Sequence, residues 1–195
     1  MPTHPNPPPF PPRPTSLAWT LLQEMIRKGD TVIDATAGNG HDTVFLAGCV
    51  GAGGRVLAFD VQQAAIESAR TRVAEAGLLD RVTFHPCSHV RMGEFVAAAS
   101  VSAIMFNLGY LPGEDHGITT RVESSMVALE AAALVLKPGG ALSVVCYPGH
   151  EAGASEAEAV KGWLTAKTTE GWRLATYALC GTLRPAPFLL VARKG

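Results

Sequence analysis

The residues best equipped for chemistry fall in short clusters, each directly after an apolar run. The first is Asp34-Ala35-Thr36-Ala37-Gly38-Asn39-Gly40-His41-Asp42. Gly38 and Gly40 permit a tight turn that lets a ligand approach backbone N–H groups at a helix start. Their G-x-G lacks the third glycine of the dinucleotide fingerprint. In the second cluster Asp60 can accept both hydrogen bonds of a ribose diol, with Gln62 beside the nucleoside. Ser88 and His89 form the third, placed to meet an adenine edge. The fourth runs Asn107-Leu108-Gly109-Tyr110-Leu111-Pro112-Gly113. It offers a carboxamide that can accept an amine N–H and a ring that can stack on a planar substrate. Tyr147-Pro148-Gly149-His150 brings an imidazole to the end of a fifth run. Plainer roles compete: Asp60 as a helix cap, and Asn107 and Tyr110 as a turn and a cover for the core.

Those clusters need a scaffold that brings the ends of separate strands together. The pattern predicts strands at 31–35, 55–60, 82–85, 103–107, 140–147, 172–179 and 187–193. Helices are expected at 41–48, 63–76, 92–98, 120–136 and 155–166. An earlier helix should start at a Thr15 or Ser16 cap, bury Leu17, Leu21, Leu22 and Met25, and end near Lys28-Gly29. Lys137-Pro138-Gly139-Gly140 reads as a stop signal. Alternating strands and helices imply an α/β fold with a doubly wound, Rossmann-like and mostly parallel sheet, its ligand lying over the carboxyl ends of the strands. The link at 180–186 is too short for a crossover helix. One of the last two strands must therefore be antiparallel, which separates methyltransferase-type sheets from dehydrogenase-type ones.

Composition narrows the class. A chain of 195 residues suits one domain, here 16–195, behind a tail at 1–15 that holds eight prolines among its first fourteen residues. With 16 Lys+Arg against 17 Asp+Glu, a strongly basic nucleic-acid coat protein is excluded. Charge is nonetheless uneven: from Gly171 onward the chain has Arg173, Arg184, Arg193 and Lys194 and no acidic residue. Cys49, Cys87, Cys146 and Cys180 stand singly, which argues against a zinc site and predicts reduced, mostly buried thiols. No apolar run has membrane-helix length and the N-terminus lacks a secretory pattern, so a cytoplasmic protein with no membrane partner is expected. No metal site is expected either, since His89, His116 and His150 are widely separated.

Taken together, Asp34–Thr43, Phe59-Asp60-x-Gln62, Ser88-His89, Asn107–Gly113, Tyr147–His150 and Pro187-Phe188 resemble the bacterial "putative rRNA methylase" family of the MnmM type. Its characterised members methylate the 5-aminomethyl group of wobble 2-thiouridine in tRNA. The resemblance runs from Leu17 to Lys194. It implies a class I fold binding S-adenosylmethionine, with S-adenosylhomocysteine as product. Asn39, His41, Asp60, Gln62, Ser88 and His89 match its cofactor positions, to which the strand-end reading adds Asp34, Gly38 and Gly40, and an anticodon arm of tRNA is the implied partner. Asn107 and Tyr110 would receive the acceptor amine, and either Asp115 or His150 would take its proton. The chain departs from the family in its Pro-rich tail, at Pro86-Cys87, and at Glu114, which adds negative charge near the expected mouth. Methylation of rRNA or of a small molecule is the alternative, followed by a non-catalytic S-adenosylmethionine-binding module. An NAD-dependent oxidoreductase would require the third glycine and a parallel sixth strand.

Overall fold

Pro14 opens the first helix. In the computed structural model, which describes residues 10–108, 122–149 and 151–195, α1 spans Pro14–Met25 with proline in its first turn. The N–H that proline lacks has no helical partner there, so the residue is well suited to the position. The cap position accordingly falls on Arg13 rather than Thr15 or Ser16. The buried face is Pro14, Ala18 and Leu22, with Ile26 just beyond. The expected stripe is therefore rotated, leaving Leu21 at 38% exposure, and the helix ends at Met25, short of Lys28-Gly29. Ala18 is small enough to let α1 lie close on the sheet.

Seven strands follow: β1 (Thr31–Asp34), β2 (Arg55–Phe59), β3 (Val82–His85), β4 (Val101–Leu108), β5 (Leu136–Cys146), β6 (Arg173–Ala178) and β7 (Phe188–Arg193). They form one sheet in the order β3-β2-β1-β4-β5-β7-β6. β1 to β5 are parallel, and β7 is antiparallel to both β5 and β6. This is the closing hairpin expected from the short connection. The chain winds outward from β1 to β3 and then crosses to β4 on the other side of β1. The switch point thus lies between β1 and β4.

Both faces of the sheet are covered, as its continuous apolar strands require. On one face Val32, Val56, Ala103, Met105 and Val145 pack with α1 and α2 (His41–Val50). Ala58 and Phe84 continue that layer under α3 (Gln63–Glu75). On the other, Ile33, Leu57, Ile104, Phe106 and Val144 pack with α4 (Val122–Val135) and α5 (Glu151–Lys167). Neighbours in sequence such as Val32 and Ile33 therefore serve opposite layers, as the two-residue period of a strand dictates.

Three local expectations differ. The helix expected at 92–98 is a 3-10 helix at His89–Glu94. Lys137-Pro138-Gly139-Gly140 does end α4, but it lies within β5 as a bulge: Val101 pairs with Leu136 and Ala103 with Ala141, so four residues stand opposite Ser102. Of the cysteines, Cys146 alone is buried; Cys49 and Cys87 are half-buried and Cys180 is exposed, because 180 lies in the hairpin connection rather than in a strand.

The strand register also divides the C-terminal basic residues. Arg193 pairs with Ala141 and Arg173, at the amino ends of the parallel strands, and Lys194 Nζ donates to the carbonyls of Ala133 (2.7 Å), in the last turn of α4, and Leu136 (2.8 Å), just after it. Phe188 instead pairs with Cys146 and Ala178 at the carboxyl ends, so the exposed Arg184 lies in a connection on that rim.

Candidate functional site

The carboxyl ends of β1, β2, β3 and β4 bring most of the sequence-selected residues to one rim. Asp34 closes β1 and is fully buried. Its Oδ2 accepts the Thr43 hydroxyl at 2.5 Å and its Oδ1 the Thr36 N–H at 3.2 Å. Burial, reinforced by the Asp42 carboxylate and more weakly by Asp60, pushes its acid up to about 7 despite those two donors.

The glycine turn is a packing device. Gly40 caps α2 in the left-handed region (φ 79°), and a Cβ there would stand 2.6 Å from the Ala69 backbone in α3. Only glycine lets the two helices approach so closely. The Gly38 N–H donates to Asp60 Oδ2 (2.9 Å) and the Gly40 N–H to the Ala37 carbonyl (2.7 Å). Both glycine N–H groups are thus used within the protein. Asn39, exposed, is held to α3 by the Arg72 guanidinium on its carbonyl (2.6 Å) and by the Ser68 hydroxyl (3.4 Å) on its side-chain oxygen. His41 beside it is exposed.

Asp60 follows β2. Its oxygens accept the N–H groups of Gly38 and Gln62, both at 2.9 Å, which joins the first turn to the second. Each oxygen retains a lone pair for a further donor such as a ribose hydroxyl. Gln62, half-buried, occupies the cap position of α3. Ser88 caps the 3-10 helix, accepting the Val90 N–H at 3.4 Å. His89 lies deeper than an adenine-edge contact suggests, at 8% exposure and edge-on to Phe106. Its Nδ1 is 2.9 Å from the Ala35 carbonyl, so Nδ1 carries the proton in the neutral ring. Burial holds its pKa below the usual histidine range.

At the end of β4, Asn107 is anchored across the switch point. Its N–H donates to Thr36 Oγ1 at 2.8 Å, and its side-chain Nδ2 donates to Asp42 Oδ2 at 2.5 Å. Its Oδ1 is buried with no hydrogen-bond partner among the described residues. Asp42 Oδ1 accepts the Trp19 indole N–H from α1 at 2.6 Å, and Trp19 stacks on Phe45 with centroids 5.1 Å apart. Tyr147 is half-buried nearby; burial and the Asp42 carboxylate raise its phenol above the ordinary value. Tyr110, Asp115 and His150 lie outside the described residues.

Sequence reasoning missed Asp42 and Trp19 as partners of the site. Asp42 carried a weak signal, an acid in the first turn of the helix after the glycines; Trp19 carried none, being far away in sequence. Among the described residues no group of three His, Cys, Asp or Glu side chains could hold a metal, and no helix is long and apolar enough to cross a membrane.

The arrangement has close relatives. A chloroplastic tRNA (mnm(5)s(2)U34)-methyltransferase of Arabidopsis thaliana is 40% identical over 190 residues, covering 92% of this chain and 69% of its own length. The crystal structure described as a putative rRNA-methylase from Clostridium thermocellum superposes with a TM-score of 0.89 at 36% identity, covering 93% of this chain and 97% of its own. A putative methyltransferase from Streptococcus mutans, solved in complex with SAH, gives 0.84 at 28% identity, covering 93% and 98%. Residues 56–193 match the family described as "Putative rRNA methylase". With that match and a relative of this identity and coverage, the chain belongs to that family, and it is an S-adenosylmethionine-dependent methyltransferase.

Proposed function

We propose that the chain methylates the exocyclic amine of a 5-aminomethyl group on wobble (2-thio)uridine in tRNA. The Arabidopsis thaliana relative, named for that position, supports this substrate. The observation that carries the reading is the Asn107 carboxamide, whose NH2 is taken by Asp42 and whose acceptor oxygen is buried and unpartnered. Such an oxygen costs about 1–3 kcal/mol unless a donor arrives, and a substrate N–H is a matching donor.

The residues fit the cofactor. Asp60 would hold the ribose, Gln62, Ser88 and His89 would flank the adenosine, and the turn of Gly38, Asn39, Gly40 and His41 would meet the methionine portion. The Asp60 carboxylate at this turn adds negative charge that suits a cationic sulfonium. When bound, S-adenosylmethionine supplies an electrophilic methyl group that a neutral amine can take directly. The protein then contributes chiefly alignment: Asn107 orients the amine by accepting one N–H, Tyr110 stacks on the base, and Asp115 or His150 receives the proton the amine sheds. On this reading residues 16–195 form one methyltransferase domain, working in the cytoplasm where tRNA is matured.

A net charge of −1 requires local contacts to a polyanion, and Arg184, on the rim of the sheet that carries Asn107, is suited to a backbone phosphate. The test is nucleoside mass spectrometry on tRNA bearing 5-aminomethyl-2-thiouridine, incubated with protein and S-adenosylmethionine. A gain of one methyl on that nucleoside is expected. Unmodified tRNA at full cofactor occupancy would leave rRNA or a small molecule as the acceptor. Binding of the same tRNA should weaken as salt rises, and Arg184→Ala should flatten that slope.

A further inference from the structure

Asp42 is a carboxylate 7% exposed in the first turn of α2, with each oxygen engaged by a different element: Trp19 from α1 on one, Asn107 from β4 on the other. Both of its oxygens act as acceptors, one for the indole N–H and one for the Asn107 NH2. The Asn107 amide must therefore face it with NH2, and rotating the amide would set oxygen against oxygen. The indole cannot easily yield, since Trp19 lies parallel to Phe45 with an interplanar angle of 5°. The consequence falls on the third atom of the set, Asn107 Oδ1, which is left buried and unpartnered.

We infer that Asp42, braced by Trp19, is a positioning residue that locks the Asn107 carboxamide with its oxygen toward the acceptor, and so selects a methyl acceptor that carries an N–H. The inference rests on the reading of Asn107 as the acceptor-facing residue. It assigns the site's preference for amines to a side chain that need touch neither substrate nor cofactor.

Asp42→Asn supplies the test. The introduced carboxamide can still accept the indole N–H through its oxygen, but its NH2 then faces Asn107, which must flip and present NH2 to the substrate. The expected result is a fall in kcat of about 100-fold, the scale of losing one oriented hydrogen bond in a transition state, with cofactor Kd and Tm held. The exchanged pair Asp42→Asn with Asn107→Asp rebuilds the chain of donors and should recover at least tenfold of that loss. Trp19→Phe, which keeps the stack and removes the brace, should lower kcat by several-fold. A purely structural Asp42 would instead lower Tm and cofactor affinity together, without repair by the exchange. A kcat unchanged in Asp42→Asn, a defect confined to cofactor Kd, or no recovery in the exchanged pair overturns the inference.

A readout independent of the substrate is the side-chain amide of Asn107 in NMR spectra of the free protein, assigned by its absence in Asn107→Ala. One strongly deshielded, slowly exchanging proton is expected, and it should be lost in Asp42→Asn. An ordinary solvent-like amide in the wild type overturns the positioning role whatever the substrate. A deshielded amide in a protein that leaves the tRNA unmethylated overturns the tRNA reading alone.

Discussion

Asp30 and Asp34 stand at opposite ends of β1 and meet opposite fates. Burial raises both. At the amino end, Asp30 is more than repaid: the Arg27 N–H (2.8 Å) and the Lys137 ammonium (3.1 Å) hold its carboxyl below the ordinary value. At the carboxyl end, Asp34 has two neutral donors and faces Asp42 and Asp60, so its acid is pushed up to about 7. One end of the sheet pairs its charges, and the other gathers like charges. A parallel sheet with its switch point beside β1 makes the second end the one where a cationic ligand can relieve the repulsion.

The sharpest way to break this comparison is through the glycines at the two ends. Gly40→Ala forces a Cβ to 2.6 Å from the Ala69 backbone at φ 79°, so strain and overpacking combine. A destabilisation of about 3–5 kcal/mol is expected. Gly29→Ala, at φ 91° with nothing within 4 Å of the new Cβ, should cost roughly 1–2 kcal/mol from backbone strain alone. Urea denaturation of the two variants checks this. Equal losses would mean that the glycine turn at the site end is not tightly packed.

Next in size is Asp60→Ala. It removes the acceptor shared by Gly38 and Gln62 and, on the proposed reading, the ribose contact. Calorimetry should show cofactor affinity lower by about 1.5–3 kcal/mol. An unchanged Kd would assign Asp60 to the turn alone.

How much of this was readable beforehand follows the range of each interaction. The strand order and antiparallel closure were legible because apolar runs and connection lengths are local facts. The strand-end residues Asp34, Asp60 and Asn107 were legible for the same reason. Trp19 and Asp42 were not, since an indole 23 residues before a carboxylate leaves no periodic trace. The face of α1 was misjudged because Leu17, Leu21, Leu22 and Met25 outweigh Ala18 in hydrophobicity, whereas close approach to the sheet rewards the small side chain. The bulge at 137–140 was invisible because its partner is the far end of the chain, through Gly139 N–H to the Lys194 carbonyl (3.0 Å) and Lys194 N–H to the Gly140 carbonyl (3.0 Å).

The finest test sets the two aspartates against each other by pH. In the unfolded chain each titrates near ~3.9. Asp34 holds its proton in the folded state to about 7, so the native state binds more protons than the unfolded one between those values. Its contribution is then lost as pH rises, and above 7 the buried charge is a standing penalty. Asp34→Asn should consequently stabilise the protein by about 1–2 kcal/mol at pH 8, or roughly 2–8 °C in Tm, and by nothing at pH 4. Asp30 has the opposite sign. Its folded acid is lowered, so its contribution is present above the unfolded value and disappears as pH falls through the folded one. Asp30→Asn should therefore destabilise at pH 8 and become neutral in strong acid. The effect stays under about 1 kcal/mol, because the Lys137 side chain is 42% exposed and salt screens the pair. Melting curves should part from the wild type in opposite directions at pH 8, with Asp34→Asn rejoining it by pH 4 and Asp30→Asn only in stronger acid. Two curves moving the same way would mean that the ends of β1 differ in hydrogen bonding but not in the balance of charge.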